Sequence, residues 1–190
     1  MAINDSALDI IFRTARTYRH WQDKPVSPSL LMAIYDLMRW GPTSANTNPG
    51  RIVFVVSQEA KERLKPHLDE GNVAKTMAAP ATAILAYDLA FAAKAAELNG
   101  RPPVVPDLER DREDAFRNGT LQAAYFIIAA RALGLDCGPM GGFDHDGVDH
   151  EFFGGTTLRS NFLCNVGYGD PAHLRPRGPR LDFDEACKIV

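Results

Sequence analysis

Two arginines in a short N-terminal segment are the first candidate ligand-binding residues in this sequence. Ala15-Arg16-Thr17-Tyr18-Arg19-His20-Trp21 places two arginines and a hydroxyl close together. Guanidinium groups present forked N–H donors that match phosphate and carbonyl oxygens. The segment therefore predicts an anion-binding site. A solvated basic stretch is the alternative, because short basic motifs are common.

A second basic cluster lies near the C-terminus, where Arg175, Arg177 and Arg180 alternate with prolines and a glycine. Side chains at this spacing could converge on one phosphate. An ordinary basic surface explains so short a cluster equally well. The two clusters together favour a phosphate-bearing ligand more than either does alone.

Two further segments have the composition of binding loops. The first, Pro42-Thr43-Ser44-Ala45-Asn46-Thr47-Asn48-Pro49, is polar and precedes an apolar run. Such loops often carry binding groups on a rigid scaffold, although turn chemistry alone also produces them. The second, Gly138-Pro139-Met140-Gly141-Gly142-Phe143-Asp144, is predicted to be a turn. Its paired glycines would let backbone N–H groups approach a flat ligand.

Several other chemistries are disfavoured by the sequence. It contains no GxGxxG after a strand, no GxSxG and no HExxH, so a Rossmann site, a serine hydrolase and a zinc protease lack support. His145 and His150 are five residues apart and lack metal-site spacing. Cys137, Cys164 and Cys187 form no CxxC pair and are expected to be buried free thiols.

The composition predicts one globular domain over residues 1–190. Hydrophobic residues are 45% and charged residues 24%, and the net charge of −3 gives no support for nucleic-acid binding. No stretch reaches the roughly 18 apolar residues of a membrane span. The first residues lack the features of a secretory signal, so we expect a cytoplasmic protein with no membrane partner.

Apolar periodicity predicts the elements that must position these segments. Helices are expected after an Asn4-Asp5-Ser6 cap, and from Pro28 behind Ser27 until Gly41 and Pro42 end the helix. Further helices are expected over 59–68, 91–98, 116–133 and 144–153 behind Asp144, and after the second basic cluster. Strands are expected over 51–57, 81–87 and 162–168, and residues 14–22 should be extended. Residues 99–114 are rich in proline and then in charge, which favours a mobile surface excursion.

Taken together and in order, these four segments resemble the nitroreductase superfamily of flavoproteins over nearly the whole chain. They are similar to its Arg-Arg-Ser-x-Arg-x-aromatic motif, its Pro-Ser-x-x-Asn-x-Gln-Pro loop, its Pro-x-x-Gly-Phe-Asp turn and its C-terminal basic pair. The resemblance implies an α+β fold with a mostly antiparallel central sheet flanked by helices, in an intertwined homodimer. It also implies FMN as the cofactor and NADH or NADPH as the hydride donor.

A narrower resemblance concerns the reaction. Residues 39–46, 134–144 and 165–170 resemble the malonic semialdehyde reductase branch, which implies reduction of 3-oxopropanoate to 3-hydroxypropanoate in pyrimidine degradation. Arg19 or an arginine in the region 101–117 could hold the substrate carboxylate. A broad nitroaromatic or quinone reductase and a flavin-binding protein without turnover are the alternatives.

The resemblance also implies roles for the cationic residues. Arg16 and Thr17 should lie along the ribityl-phosphate side of FMN, and Arg175 and Arg177 should hold the phosphate. Arg19 matches a basic residue near flavin N1 and O2, where a cation would stabilise the anionic reduced ring.

The remaining implied contacts are to the flavin ring. Asn72 matches a polar contact to the ring, and a group of loop residues should reach the flavin of the other subunit: Thr43, Ser44 and Asn46. A second group should pass the N5 edge with a backbone N–H directed at it: Pro139, Met140, Gly141 and Gly142. The chain departs from the family pattern at Ala15, Asn48, Gly50 and Gly141.

Overall fold

A four-stranded antiparallel sheet with helices on both faces forms the centre of this computed structural model, which describes residues 2–190. The strands are β1 (Gly50–Val55), β2 (Ala81–Asp88), β3 (Asp136–Met140) and β4 (Leu158–Gly167), in the order β1-β2-β4-β3. The helices are α1 (Asp5–Leu8), α2 (Pro28–Met38), α3 (Gln58–Leu64), α4 (Glu70–Ala78), α5 (Phe91–Leu98), α6 (Arg112–Ala132), α7 (His145–Phe153) and α8 (Phe183–Ala186). The predicted α+β class and antiparallel sheet are confirmed.

Central strand β2 is buried on both of its faces. Ala83 and Leu85 pack with α2 and α6 in one core, whereas Ile84 and Ala86 pack with α3 and α7 in the other. Successive side chains of a strand point to opposite faces of the sheet. The continuous apolar run of β2 therefore reflects two helical layers, one against each face.

Helix starts follow the predicted capping chemistry at two sites. The Asn4 side chain accepts a hydrogen bond from the backbone N–H of Ala7, and the Ser27 side chain accepts one from that of Leu30. Each bond satisfies an N–H that the first turn of a helix leaves without a partner. The Asp144 side chain makes no such bond, although α7 does begin directly after it.

Edge strand β3 is covered by residues 14–22, which we call the N-terminal arginine segment. Thr17 forms a parallel bridge with Cys137, and the backbone N–H of Tyr18 donates to the carbonyl of Cys137 at 3.0 Å. Trp21 bridges Gly169 farther along. The segment is extended, as predicted, because it completes the hydrogen bonding of a strand edge that would otherwise be open.

The predicted turn at 138–142 is wrong, since Gly138, Pro139 and Met140 belong to β3. Gly and Pro are poor residues for the interior of a sheet, but Pro139 is on an edge strand, where its missing N–H is tolerated. The last strand is also longer than predicted and begins at Leu158 rather than at 162.

Three other predictions need correction. Helix α4 was not predicted, because the residues from 70 to 78 lack a regular apolar face. Helix α6 begins at Arg112, so the end of the charged excursion is helical, and Asp111 before it is buried. Cys137 and Cys164 are buried as predicted, whereas Cys187 is exposed.

Gly138 provides a test of the contact between β3 and the N-terminal arginine segment. A Cβ atom there would lie 2.5 Å from the carbonyl oxygen of Tyr18, a backbone atom that cannot rotate away. We expect Gly138→Ala to lower the free energy of unfolding by about 1–3 kcal/mol, as overpacking does. Gly141→Ala is the matched control, because a Cβ at Gly141 meets nothing within 4 Å. Equal urea denaturation midpoints for the two variants would contradict the close approach.

Candidate functional site

A basic cavity of about 460 Å³ lies between the N-terminal arginine segment and the C-terminal residues 174–180. Its walls bring together both clusters that the sequence singled out. The arginines that line it are Arg16, Arg19, Arg131, Arg175, Arg177 and Arg180. Thr17 lines it as well, and Asp170 is the one carboxylate in its wall. Such an excess of positive charge favours an anionic ligand.

Two of these arginines hold the walls of the basic cavity together. Arg177 donates to the carbonyls of Arg13 at 2.9 Å and Ala15 at 2.8 Å, and Arg16 donates to the carbonyl of Arg175. Each guanidinium carries five N–H donors, so both retain donors for a ligand. The predicted phosphate-binding residues are therefore also the residues that join the C-terminal segment to the N-terminal one.

Asp170 is occupied by groups of its own segment. Its carboxylate accepts from the backbone N–H of Ala172 at 3.0 Å and lies 2.7 Å from Nδ1 of His173, and these contacts hold its pKa below the usual range. The ring of His173 stacks on that of His20, with centroids 4.6 Å apart. Asp170 is thus engaged away from the arginines, which leaves their charge uncompensated.

Arg131 lines the basic cavity but is partly engaged within the protein. One of its terminal nitrogens donates to the carbonyl of Ile11 at 3.1 Å, but its Nε–H is buried and has no hydrogen-bond partner. An unsatisfied buried donor costs roughly 1–3 kcal/mol. Within residues 2–190, the side chains of Arg19 and Arg175 likewise form no hydrogen bond or ion pair with protein groups. An anion in the cavity could accept from Arg19 and Arg175, whereas the Nε–H of Arg131 is closed off from it.

Helix α4 brings Asn72 and Lys75 to the same face, three residues apart. The Asn72 side chain donates to the carbonyl of Gly142 at 2.5 Å. Lys75 is half-buried, and its pKa is lowered first by burial and second by the nearby positive charge of Arg19. No residue between 2 and 190 forms a hydrogen bond or ion pair with its ammonium group. Two cations that repel each other would both gain from an anionic group placed between them.

The end of β3 and the residues after it lie beside α4. Met140 is buried in the core, where its sulfur accepts from Thr76, so only its backbone could contact a ligand. Pro139 is half-buried and has no N–H to donate. Gly141 is exposed, and the carbonyl of Gly142 accepts from Asn72. A backbone N–H directed at a ligand must therefore come from Met140, Gly141 or Gly142.

Residues Thr43, Ser44 and Asn46 lie apart from the basic cavity. The two cavities described for residues 2–190 share no lining residue, and Thr43 and Asn46 line the second, a groove of about 1220 Å³ walled by α2. Ser44 is exposed, but its backbone N–H donates to the side chain of Asn118 at 2.8 Å. The loop thus has a partner in its own subunit, whereas the sequence suggested none.

This loop also carries conformational strain. Ala45, Asn46 and Asn48 all have positive φ between 48° and 55°, and the hydroxyl of Thr47 is buried without a partner. Residues other than glycine adopt this region at a cost of roughly 1–2 kcal/mol each. Strain of this kind is concentrated at functional sites, which keeps the loop as a binding candidate.

Other kinds of site find no support in the part of the chain described. Residues 2–190 contain no group of three or more His, Cys, Asp or Glu side chains placed to hold a metal ion. Nδ1 of His145 lies 3.2 Å from the hydroxyl of Ser160 instead. Across the same residues, no helix is both long and apolar enough to cross a membrane.

Lys75 and Arg131 are two candidate ligand contacts that the sequence did not reveal. Lys75 follows Asn72 by three residues, but that spacing has meaning only once α4 is known to be a helix. Arg131 is a basic residue in the last turn of a long helix, which is a common place for cations on any helix. Neither position carries a local signal that separates it from an ordinary surface residue.

The arrangement combines an anion-binding cavity with a polar edge formed by Asn72, Lys75 and the backbone after β3. A ligand that carries a phosphate at one end and a flat ring with oxygen and nitrogen acceptors at the other has the matching chemistry. Arginines suit the phosphate because of their forked donors. An amide, an ammonium group and backbone N–H groups suit the edge of a ring.

Comparisons with known proteins agree with this reading of the fold. Residues 12–168 match the model of the nitroreductase family. Relatives include a Stenotrophomonas maltophilia protein and a Burkholderia lata protein, both named as provisional NADH dehydrogenase/NAD(P)H nitroreductases. They are 57% identical over all of this chain and 98% of the relative, and 56% identical over 98% of each.

Solved structures share the fold at low sequence identity. A Bacillus subtilis nitroreductase structure superposes with a TM-score of 0.86 and 20% identity, covering 98% of this chain and all of the other. An Exiguobacterium sibiricum nitroreductase solved in complex with FMN superposes with a TM-score of 0.81 and 19% identity, covering all of this chain and 99% of the other. With its fold shared by these structures and its sequence matched from residue 12 to 168, the chain belongs to the nitroreductase family.

Proposed function

We propose that this protein is an FMN-dependent NAD(P)H oxidoreductase. The observation that carries the proposal is the basic cavity, with the unpaired side chains of Arg19 and Arg175 in its wall, next to the polar edge of α4. Two kinds of relatives support the choice of cofactors. The names of the curated relatives specify NAD(P)H, and a structure with the same fold contains FMN.

The residues present fit FMN from end to end. The phosphate would be held by Arg16, Arg175 and Arg177, with Arg131 beneath it. Arg19 and Lys75 would face the N1 and O2 edge of the ring, and Asn72 would contact its polar rim. The backbone from Met140 to Gly142 would run along the opposite edge. When bound, FMN supplies hydride transfer chemistry, which the chain's own side chains cannot perform.

The residues of the chain would bind FMN, orient it and adjust its midpoint potential. Cations at one ring edge stabilise negative charge there more than they stabilise a neutral ring. No protein acid is required for that effect, because a guanidinium stays protonated at any physiological pH. Arg19 is therefore proposed to be a tuning residue rather than a proton donor.

For the oxidising substrate we propose a 3-oxo acid such as malonic semialdehyde, with nitroaromatic compounds as the second candidate. The second is favoured by the names of the relatives. Two arginines of the region 101–117 are already engaged and are less suited to hold a substrate carboxylate. Arg110 is paired with Asp111, and Arg117 is paired with both Glu113 and Asp114. Flavin reoxidation rates against aldehydes, quinones and nitroaromatics distinguish the two candidates.

We also propose that the functional unit is a homodimer. The α2 face is apolar yet open to solvent, with Met32 68% and Trp40 77% exposed. Tyr35 and Leu37 on the same helix and Tyr125 on α6 are exposed too. Several exposed large apolar residues on and next to one helix are typical of an interaction site. A second copy would cover it and would bring Ser44 and Asn46 of the strained loop towards another subunit.

The first prediction concerns FMN binding. After reconstitution with FMN and desalting, the protein should keep a flavin absorption spectrum, and Arg175→Ala should raise the dissociation constant of FMN roughly tenfold through loss of one charge-assisted hydrogen bond. Arg63→Ala is the control, because Arg63 is exposed on α3 and lines neither of the two cavities. Wild-type protein that releases all its flavin on desalting would refute the proposed function.

The second prediction concerns Arg19. We expect Arg19→Ala to lower the midpoint potential of bound FMN by roughly 30 mV, the equivalent of a charge-assisted hydrogen bond of about 1.4 kcal/mol. Arg19→Lys should retain most of the wild-type potential, since it keeps the charge. Redox titration of both variants measures the effect. If Arg19→Ala has the wild-type potential, Arg19 does not tune the flavin.

The third prediction concerns assembly. Light scattering should give twice the 20.9 kDa of one chain. Trp40→Glu together with Met32→Glu should produce monomers, because obligate interfaces bury on the order of 2,000 Å² of largely apolar surface. Val56→Glu is the control, since Val56 is an exposed apolar residue outside the α2 groove. A folded, flavin-loaded wild-type monomer would contradict the homodimer.

A further inference from the structure

Helix α4 is held in place by polar contacts in addition to a small apolar contact, since half-buried Val73 packs against the core. Thr76 is the one residue of this nine-residue helix that is buried. A short helix gains most of its stability from an apolar face packed on a core. Because the apolar contact of α4 is small, polar interactions must also fix its position, and they fix the position of Asn72 and Lys75 with it.

Those interactions are concentrated at the C-terminal end of α4. The carbonyl groups of a helix's last turn have no partner within the helix. Here the carbonyl of Lys75 accepts from the indole N–H of Trp21 at 3.1 Å and from the amide of Asn165 at 3.3 Å. Lys61 of α3 donates to the carbonyl of Met77 at 3.3 Å and to that of Ala79 just beyond the helix.

Asn165 is the centre of this network. It lies on β4, is fully buried, and has polar contacts on both sides of its amide. Its Oδ1 accepts from the hydroxyl of Thr82 on β2 at 2.7 Å, and its Nδ2 donates to Thr76 at 3.3 Å as well as to the carbonyl of Lys75. A carboxamide suits this place because it both donates and accepts. The sheet thereby holds the helix through one side chain.

Lys61 supports the same end of the helix from the other side. Its ammonium group is largely buried, and burial lowers its pKa. A buried charge without compensating hydrogen bonds is strongly disfavoured. The two carbonyls at the end of α4 supply that compensation, so Lys61 and α4 depend on each other.

We infer that Asn165, together with Trp21 and Lys61, is a positioning residue that sets where Asn72 and Lys75 stand relative to β3 and Arg19, and so controls the fit of the FMN ring without touching it. The inference rests on the proposed function for its flavin half. The alternative is that Asn165 is only a satisfied polar group of the core, with no effect on the site.

The experiment compares Asn165→Leu with Ser160→Ala. Ser160 is also buried and also on β4, but its contacts are to His145 and Asp149 rather than to α4. In flavin-free Asn165→Leu, backbone amides of α4 should exchange with solvent about tenfold faster, while those of β1, which Asn165 does not contact, keep their wild-type rates. The indole N–H of Trp21 should lose protection as well. It is distinguishable from that of Trp40, the second tryptophan, which is exposed.

In the flavin-loaded protein, Asn165→Leu should weaken FMN binding about fivefold or more and shift the midpoint potential, whereas Ser160→Ala should change neither. Lys61→Met is the second variant if Asn165→Leu does not fold, because it keeps the aliphatic stem and removes only the donors. It should likewise accelerate exchange in α4.

The outcomes separate the two claims. Wild-type exchange rates in α4 of the folded variants would overturn the positioning network, whatever the cofactor proves to be. Faster exchange in α4 with unchanged FMN affinity and potential would overturn its role in the site. Absence of FMN binding by the wild-type protein would overturn the proposed function, while the exchange rates would still decide whether Asn165 and Lys61 hold α4.

Discussion

The close contact between β3 and the N-terminal arginine segment is the constraint on which the candidate site depends. Gly138 leaves room for the carbonyl of Tyr18, and the backbone of Tyr18 bonds to Cys137. This contact aligns residues 16–19 with the sheet edge. It places Arg16 in the basic cavity and Arg19 near α4, so that one backbone pairing serves both the phosphate end and the ring end of the site.

The concentration of positive charge in the basic cavity is the second organising feature. Repulsion among these charges destabilises the fold. Six arginines share one cavity with a single carboxylate, and that carboxylate is engaged with Ala172 and His173. Like charges at short range disfavour a compact arrangement. Arg16 and Arg177 offset part of this cost by bonding to backbone carbonyls. The rest of the charge is what an anionic ligand would neutralise.

The sequence predicted the parts of this architecture that have a local signature. Helix α2 has a capping serine, a proline in its first turn and regular apolar spacing, and β2 has an uninterrupted apolar run. By contrast, α4 has only a short apolar face, and β3 contains Gly138 and Pro139, which signal a turn. Both are stabilised by neighbours distant in sequence, the first by side-chain capping and the second by pairing with β4. Local pattern cannot report such contacts.

The same reasoning explains why the candidate site was only half visible in the sequence. Clustered arginines can be recognised from the sequence because several of them lie close together along the chain. Lys75 cannot be recognised in this way, because it lies near the site only through the position of α4. That position is set by Asn165, ninety residues away, and by Trp21. A helix fixed by a few hydrogen bonds can shift by small amounts at low cost, whereas close-packed apolar cores resist such shifts. Substitutions near Asn165 or Lys61 could therefore adjust the ring end of the site while the basic cavity stays unchanged.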